Sequence, residues 1–196
     1  MAHTLDTAIT LPAPETEGGK PLMQVLKVRG SAREFSCEPL SRQLLSNLLW
    51  AATGVNRLAS GKRTAPSARD WREIDVYVVI AEGAYLYDAQ THVLLPVAAG
   101  DLRQLTGEQE FVSTVPVNFV YVANLDRMID AGVDRQALYS GTDTGFIAQN
   151  VYLFCASFDL ACVVRGSIDR SAISTALQLN KHQRVILAQS VGYPAK

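Results

Sequence analysis

Residues 143–158 read Asp143-Thr144-Gly145-Phe146-Ile147-Ala148-Gln149-Asn150-Val151-Tyr152-Leu153-Phe154-Cys155-Ala156-Ser157-Phe158. Drawn as a helix, the stretch is apolar on nearly every side, interrupted only by Gln149 and Asn150. A helix without a polar face has to be buried all round. In a chain of 196 residues this can be met by a helix in the centre of the core or by a helix held between two subunits. Either arrangement needs further layers to pack against it, and the rest of the chain supplies candidates.

Upstream, Ile74 to Ala81 is rich in Val, Ile and Tyr and reads as a buried strand. Tyr85 to Asp88 and His92 to Val97 flank the polar tip Ala89-Gln90-Thr91 as a hairpin, and Val115 to Ala123 is a further strand with Pro116 near its start, where strand geometry tolerates it. Downstream, Ala161 to Val164 and Val185 to Val191 read as strands, separated by an amphipathic helix over Ser171 to Leu179 capped near Asp169. Toward the N-terminus, Ser41 caps a helix in which Leu44, Leu45, Leu48, Leu49 and Ala52 recur at three-and-four spacing before Gly54 ends it. Pro21 suits the first turn of a shorter helix that carries Leu22, Met23, Val25 and Leu26 up to Val28, and Asp101 can cap a turn containing Leu102 and Leu105. Helices and strands thus alternate over much of the chain, which predicts an α/β or α+β sheet covered by helices. Residues 1–20 hold Pro12, Pro14 and Gly18-Gly19 and read as an extended N-terminal arm that could lie across another subunit; residues 21–196 read as a single domain. Residues 56–72 are polar, glycine-bearing and basic, a long loop of the kind that compact domains keep for function.

Composition excludes several classes. Eighteen basic and nineteen acidic side chains nearly cancel, so the strong positive field of a nucleic-acid binder is missing. No apolar run reaches the ~18 residues that a bilayer-spanning helix needs. Residues 1–20 lack the basic and apolar pattern of a secretory leader, so a cytoplasmic location is expected, with the periplasm open if a leader has been removed. Cys37, Cys155 and Cys162 show no paired spacing and read as packing residues. The histidines His3, His92 and His182 have neither a nucleophile elbow nor a metal-binding spacing beside them, and neither a phosphate-binding P-loop nor a GxGxxG turn is present.

What remains is a set of small basic, backbone-rich elements: Arg29-Gly30-Ser31-Ala32-Arg33, Arg63-Thr64-Ala65-Pro66-Ser67-Ala68, and Val164-Arg165-Gly166. If the first is extended, Arg29, Ser31 and Arg33 point the same way. Paired guanidinium donors and a hydroxyl then form a grip suited to phosphate.

These elements, in this order, resemble the FMN-dependent nitroreductases, in particular the branch that includes the SagB-type dehydrogenases of peptide azoline oxidation. The resemblance rests on the Arg-x-Ser-x-Arg-x-Phe pattern at Arg29, Ser31, Arg33 and Phe35, the helix ending Leu49-Trp50-Ala51-Ala52-Thr53-Gly54, the Arg63 to Ala68 stretch, Gln149-Asn150, and Val191-Gly192-Tyr193-Pro194. It implies an α+β fold with a central, mainly antiparallel sheet flanked by helices, completed as an intertwined homodimer with FMN between the subunits. It further implies that Arg29 and Ser31 hold the FMN phosphate and ribityl tail, with Gly30 between them standing where many members have Arg or His. Arg33 would lie near the pyrimidine edge and Gln109 would hydrogen-bond it. Pro66, Ser67 and Ala68 of the other subunit would pack on the isoalloxazine, and the backbone amides of Arg165 and Gly166 would approach the flavin N5. Because the sequence stops soon after Pro194, Lys196 or Arg63 would complete the phosphate site.

The activity so implied is a ping-pong oxidoreductase that takes electrons from NADH or NADPH and reduces a small-molecule acceptor such as a nitroaromatic or quinone. The alternatives are a SagB-like dehydrogenation by oxidised FMN and flavin binding without turnover.

Overall fold

The computed structural model describes residues 7–195. The strands are β1 (Ile9–Thr10), β2 (Val55–Arg57), β3 (Lys62–Arg63), β4 (Ile74–Ile80), β5 (Gly83–Asp88), β6 (Val93–Ala99), β7 (Val117–Asn124), β8 (Ala161–Arg165) and β9 (Gln183–Gly192). The α-helices are α1 (Leu22–Val28), α2 (Arg42–Thr53), α3 (Val133–Ser157) and α4 (Arg170–Ala176). A seven-stranded sheet runs β1-β6-β5-β4-β7-β9-β8, and β2 and β3 form a separate small hairpin. Each neighbouring pair in the large sheet is antiparallel. The sheet is flanked by helices, as the α+β expectation required.

The apolar strands are continuous runs because both faces of the sheet are covered. Along β7, Phe119 and Tyr121 face one core together with Leu48 and Leu49 of α2 and Ile147 and Val151 of α3. Val120 and Val122 face the opposite core with Ile173 of α4 and Leu177. Successive strand residues point to opposite faces, so a strand buried on both loses the apolar–polar alternation of a half-exposed one.

The local signals explain the helix ends. Ser41 Oγ accepts a hydrogen bond from the Leu44 amide at 3.1 Å, and Asp169 Oδ1 one from the Ala172 amide at 3.0 Å. Gly54 ends α2, but its φ of −67° is one that any residue adopts. Glycine is required there because a Cβ would come within 2.5 Å of the Trp50 ring.

Two expectations change. The long helix begins at Val133, ten residues before the apolar stretch, and it is not buried all round. Asp143, Thr144, Ile147, Ala148, Val151 and Cys155 are buried, whereas Leu138, Gly141, Thr142, Gly145, Phe146 and Gln149 form an exposed stripe. The arm, over residues 7–20, lies on its own chain: β1 pairs with β6, Ser46 Oγ donates to the Pro12 carbonyl at 2.6 Å, and Lys20 pairs with Asp159. His3 and Lys196 lie outside the described residues.

Candidate active site

Residues 29–36 run along the outer edge of β8, the last strand of the sheet. The Ala32 amide donates to the Cys162 carbonyl at 2.9 Å, the Ser36 amide to the Tyr193 carbonyl at 2.9 Å, and Phe35 bridges to Pro194. The segment is therefore extended and pinned. Arg29 and Ser31 both meet Tyr152 of α3: the guanidinium lies 5.1 Å from the ring centroid, and Ser31 Oγ is 2.8 Å from the tyrosine hydroxyl. That hydroxyl accepts the Val164 amide of β8 at 2.9 Å, so its own proton is free to go to Ser31. A cation over an aromatic ring keeps its N–H donors at the ring's edge available for another partner. Among the described residues no carboxylate pairs with Arg29 or Arg33, and Gly30 and Arg33 are exposed.

The end of β8 brings a second group together. The Arg165 side chain is buried, donating to the Thr106 carbonyl at 2.7 Å, to Asn118 Oδ1 at 2.9 Å and, at 3.4 Å, to Gln109 Oε1. Gln109 therefore has its carbonyl oxygen committed to the protein and keeps only its amide donors for a ligand. The Arg165 guanidinium lies 6.0 Å from the Phe111 ring, which in turn packs against Phe35 at 5.2 Å between centroids. With its side chain turned inward, Arg165 can offer a ligand only its backbone. Gly166 is exposed, and a Cβ there would meet nothing nearer than Leu187 at 3.8 Å, so a flat molecule can approach the chain closely at this point.

Pro66, Ser67 and Ala68 belong to another neighbourhood. The Ala68 amide donates to Asp143 Oδ2 at 2.8 Å, Ser67 Oγ donates to Glu73 Oε2 at 3.3 Å, and the Arg72 amide donates back to Ser67 Oγ at 2.8 Å. Pro66 is exposed. The following residues Arg69, Asp70 and Arg72 all have positive φ, between 51° and 57°, a strained run tied down by the Asp70–Arg72 ion pair at 2.7 Å. Arg63 lies here too, away from Arg29 and Ser31, with burial lowering its pKa. Within one chain it does not join the phosphate grip. Asp143 and Tyr152 are nine residues apart on α3, and a helix rises ~1.5 Å per residue, so the two neighbourhoods are separated by about 13 Å along the helix.

Under the Pro66 loop, Glu73 and Asp143 form a buried pair of acids in hydrogen-bonding reach of each other. Burial first, then the Asp143 charge, holds the Glu73 carboxyl above the usual range. A carboxyl with a raised folded-state pKa binds its proton more tightly folded than unfolded. Its contribution to stability is complete below the ordinary value of 4.5 and is lost as pH rises through the raised one. The expected outcome is that urea unfolding shows wild type losing stability relative to Glu73→Gln between pH 5 and pH 8. A difference that does not change with pH removes the account of a raised Glu73 carboxyl.

Tyr152, Glu73 and Asp143 complete both neighbourhoods and carry no local signal in the sequence. Tyr152 sits in an apolar run that reads as core, and Glu73 stands at the start of a strand.

Comparison with known proteins bears on the family and the fold. The sequence profile described as the nitroreductase family matches residues 26–193. Two relatives are each named as a putative nitroreductase. One, from Methanocaldococcus jannaschii, is 29% identical over 176 residues, 85% of this chain and 88% of its own. The other, a crystal structure from Ralstonia eutropha, is 44% identical with a TM-score of 0.92, covering 96% of this chain and 90% of its own. The Escherichia coli microcin synthetase McbBCD complex contains a chain of similar fold, with a TM-score of 0.76 at 20% identity, covering 85% of this chain and 69% of that one. The profile spans nearly all of both site neighbourhoods and the sheet that carries them, and the chain belongs to the nitroreductase family.

Proposed function

We propose that the chain is an FMN-dependent oxidoreductase of the SagB-like branch, taking electrons from NADH or NADPH and passing them to a flat acceptor such as a nitroaromatic or quinone by a ping-pong cycle. The observation that carries this reading is the set of unpaired donors along the β8 edge: Arg29 poised over Tyr152, Ser31 bonded to the same tyrosine, exposed Arg33, and the open backbone at Gly166. These residues fit FMN. Arg29 and Ser31 suit a phosphate and its ribityl chain, and Gly166 leaves room for a flat ring against the strand. FMN, when bound, supplies the hydride chemistry. The protein's part is to hold it, leave one face open and stabilise the charge that reduction adds; in this reading Arg33, exposed and without a carboxylate partner, supplies the cation.

The working unit in this reading is a homodimer. Pro66 to Ala68 lie in a different neighbourhood from Arg29 and Ser31, about 13 Å further along α3, and in this reading a second copy brings its own Pro66 to Ala68 against the flavin ring. The exposed stripe of α3 suits such contact, since Gly141 and Gly145 present bare backbone and a Cβ at either would meet nothing within 4 Å in this chain.

The test is the absorbance spectrum of the purified protein, before and after each nicotinamide, without oxygen. A flavin spectrum bleached by NADH or NADPH supports the proposal, and a protein that stays colourless after incubation with FMN sinks it. Bound flavin that neither nicotinamide reduces points instead to storage or to dehydrogenation. Comparing NAD(P)H consumption with and without menadione or nitrofurazone then separates reductase from dehydrogenase. Replacing Arg33 with alanine is expected to weaken FMN binding about tenfold, the ~1.4 kcal/mol of one charge-assisted contact, and to make the bound flavin harder to reduce. Unchanged affinity and potential would take Arg33 out of the site.

A further inference from the structure

A cavity of about 520 Å³ that shares no lining residue with either neighbourhood lies between the start of α2, the β1-β6-β5 side of the sheet and residues 113–117. Its walls are mostly aliphatic, with Ile9, Leu11, Leu40, Leu45, Ile80 and Leu94 among them. Cys37 and Ser113 also line it, each two residues beyond a member of the tilted Phe35–Phe111 pair, and neither ring of that pair does. The volume is that of a small-molecule site, and apolar walls with a few converging polar groups are the usual construction of one.

The polar groups converge at one place. Tyr85 is only 2% exposed, lines the cavity, and its hydroxyl has no hydrogen-bond partner among the described residues. This hydroxyl is not sealed in protein but belongs to the cavity wall, where its proton is free for a ligand. The β5–β6 register shifts between Ala84 and Tyr85, with the extra residue, Val97, on β6, and Tyr85 is opposite Pro96, which has no N–H to give. Glu82 and Arg42, both exposed, line the same cavity, one acid and one base. Neither has an ion-pair partner among the described residues. The remaining lining cation, Arg103, is held by Asp101 at 2.7 Å.

We propose that this cavity binds a small, uncharged, mainly apolar molecule ending in a carbonyl group, whose oxygen accepts the Tyr85 hydroxyl proton. Arg42 and Glu82 give the lining one charge of each sign, so an uncharged dipolar head such as a carboxamide suits it. A carboxylate would meet Glu82 and an ammonium would meet Arg42. The aliphatic walls take the body of the ligand. The inference does not depend on the flavin reading, because none of the residues assigned to the cofactor lines this cavity.

Calorimetric titration of the full-length protein, as purified, with 4-phenylbutanamide tests it, with 4-phenylbutanoate as the charged counterpart. The amide is expected to saturate one site per chain and to bind at least about tenfold more tightly than the carboxylate. Tyr85→Phe should weaken it about five- to tenfold, as loss of one hydrogen bond predicts. Leu40→Trp, at a half-buried wall position, should abolish binding by filling the space while leaving the thermal transition in place. Arg33→Ala should leave amide affinity unchanged. No saturable binding of the amide, equal binding of amide and carboxylate, or an affinity untouched by both Tyr85→Phe and Leu40→Trp would each overturn the proposal.

Discussion

The double variant Gly141→Leu/Gly145→Leu is expected to elute as a monomer and to lose FMN. Both glycines are exposed in the middle of a 25-residue helix, with no left-handed backbone to explain them and no intrachain atom within 4 Å of where a Cβ would sit. Glycine inside a helix costs about 1 kcal/mol relative to alanine, so leucine at both sites should strengthen α3 as an isolated helix. Selection for α3 alone would not keep them. They make sense if another backbone approaches, because small residues let helices pack at the short end of the 8–10 Å range. Leu138 and Phe146, 63% and 43% exposed, then supply the apolar contact on either side of the bare patch. Leucine side chains would push the second helix away, and with it the partner's Pro66 to Ala68. Loss of that half of the grip should weaken FMN binding by at least about 100-fold, some 2.7 kcal/mol. Light scattering reads the mass, and the flavin absorbance of the same peak reads the cofactor. A double variant that stays dimeric and yellow would place the interface elsewhere. A monomer that keeps FMN would show that one chain suffices.

The stripe also shows where the sequence was opaque. The apolar run at 143–158 gave the existence of a long helix but not its start, because residues 133–142 include Asp134, Arg135, Gln136, Ser140, Gly141 and Thr142 and have no apolar period to follow. Its burial was misjudged for a related reason. Apolar side chains on every side suggested burial all round, whereas the side turned inward carries Ser140, Asp143 and Thr144, of which Asp143 holds the Pro66 loop and Ser140 meets Met128. Helix α2, with leucines at regular spacing and a capping serine, was legible from end to end. So were the strands of the large sheet beyond the two-residue β1, whose β-branched and aromatic runs are continuous. The hairpin β2–β3 was not, since strands of three and two residues leave no pattern to read. The Arg29 to Arg33 segment stood out because its residues are neighbours in sequence. Tyr152 did not, because it lies more than a hundred residues away and only the folding of α3 against β8 brings it to Ser31.

Gly107→Ala is the point substitution expected to destabilise the fold most. Gly107 has φ 175° and ψ 170°, an extended backbone open to any residue, so conformational strain is not the issue. Space is. A Cβ there would fall 1.8 Å from Arg165 Nη1, 2.8 Å from Gln109 Oε1 and 3.0 Å from Arg165 Cζ. The end of an arginine is ordinarily easy to move, but this one is buried and pinned by Thr106 and Asn118, and Asn118 Oδ1 is itself held by Ser190 Oγ at 2.6 Å. Burial lowers the Arg165 pKa to about 10, which still leaves it charged at neutral pH. Displacing it therefore strands a cation in the protein interior with its hydrogen bonds broken, at a cost of about 3 kcal/mol or more. The same reasoning predicts a coupling. In an Arg165→Met background the methyl group that Gly107→Ala adds meets a flexible, uncharged side chain, and the added cost should fall below about 1 kcal/mol. A double-mutant cycle by urea unfolding measures this directly, and the interaction energy should be at least ~2 kcal/mol. Additive costs would mean that Gly107 is kept for some reason other than the guanidinium behind it. Because Arg165 and Gly166 also form the end of β8 to which the proposed flavin site is anchored, the single variant should lose FMN along with stability. In the Arg165→Met background the added alanine should cost little further FMN, since only backbone from residues 165 and 166 is offered to the cofactor.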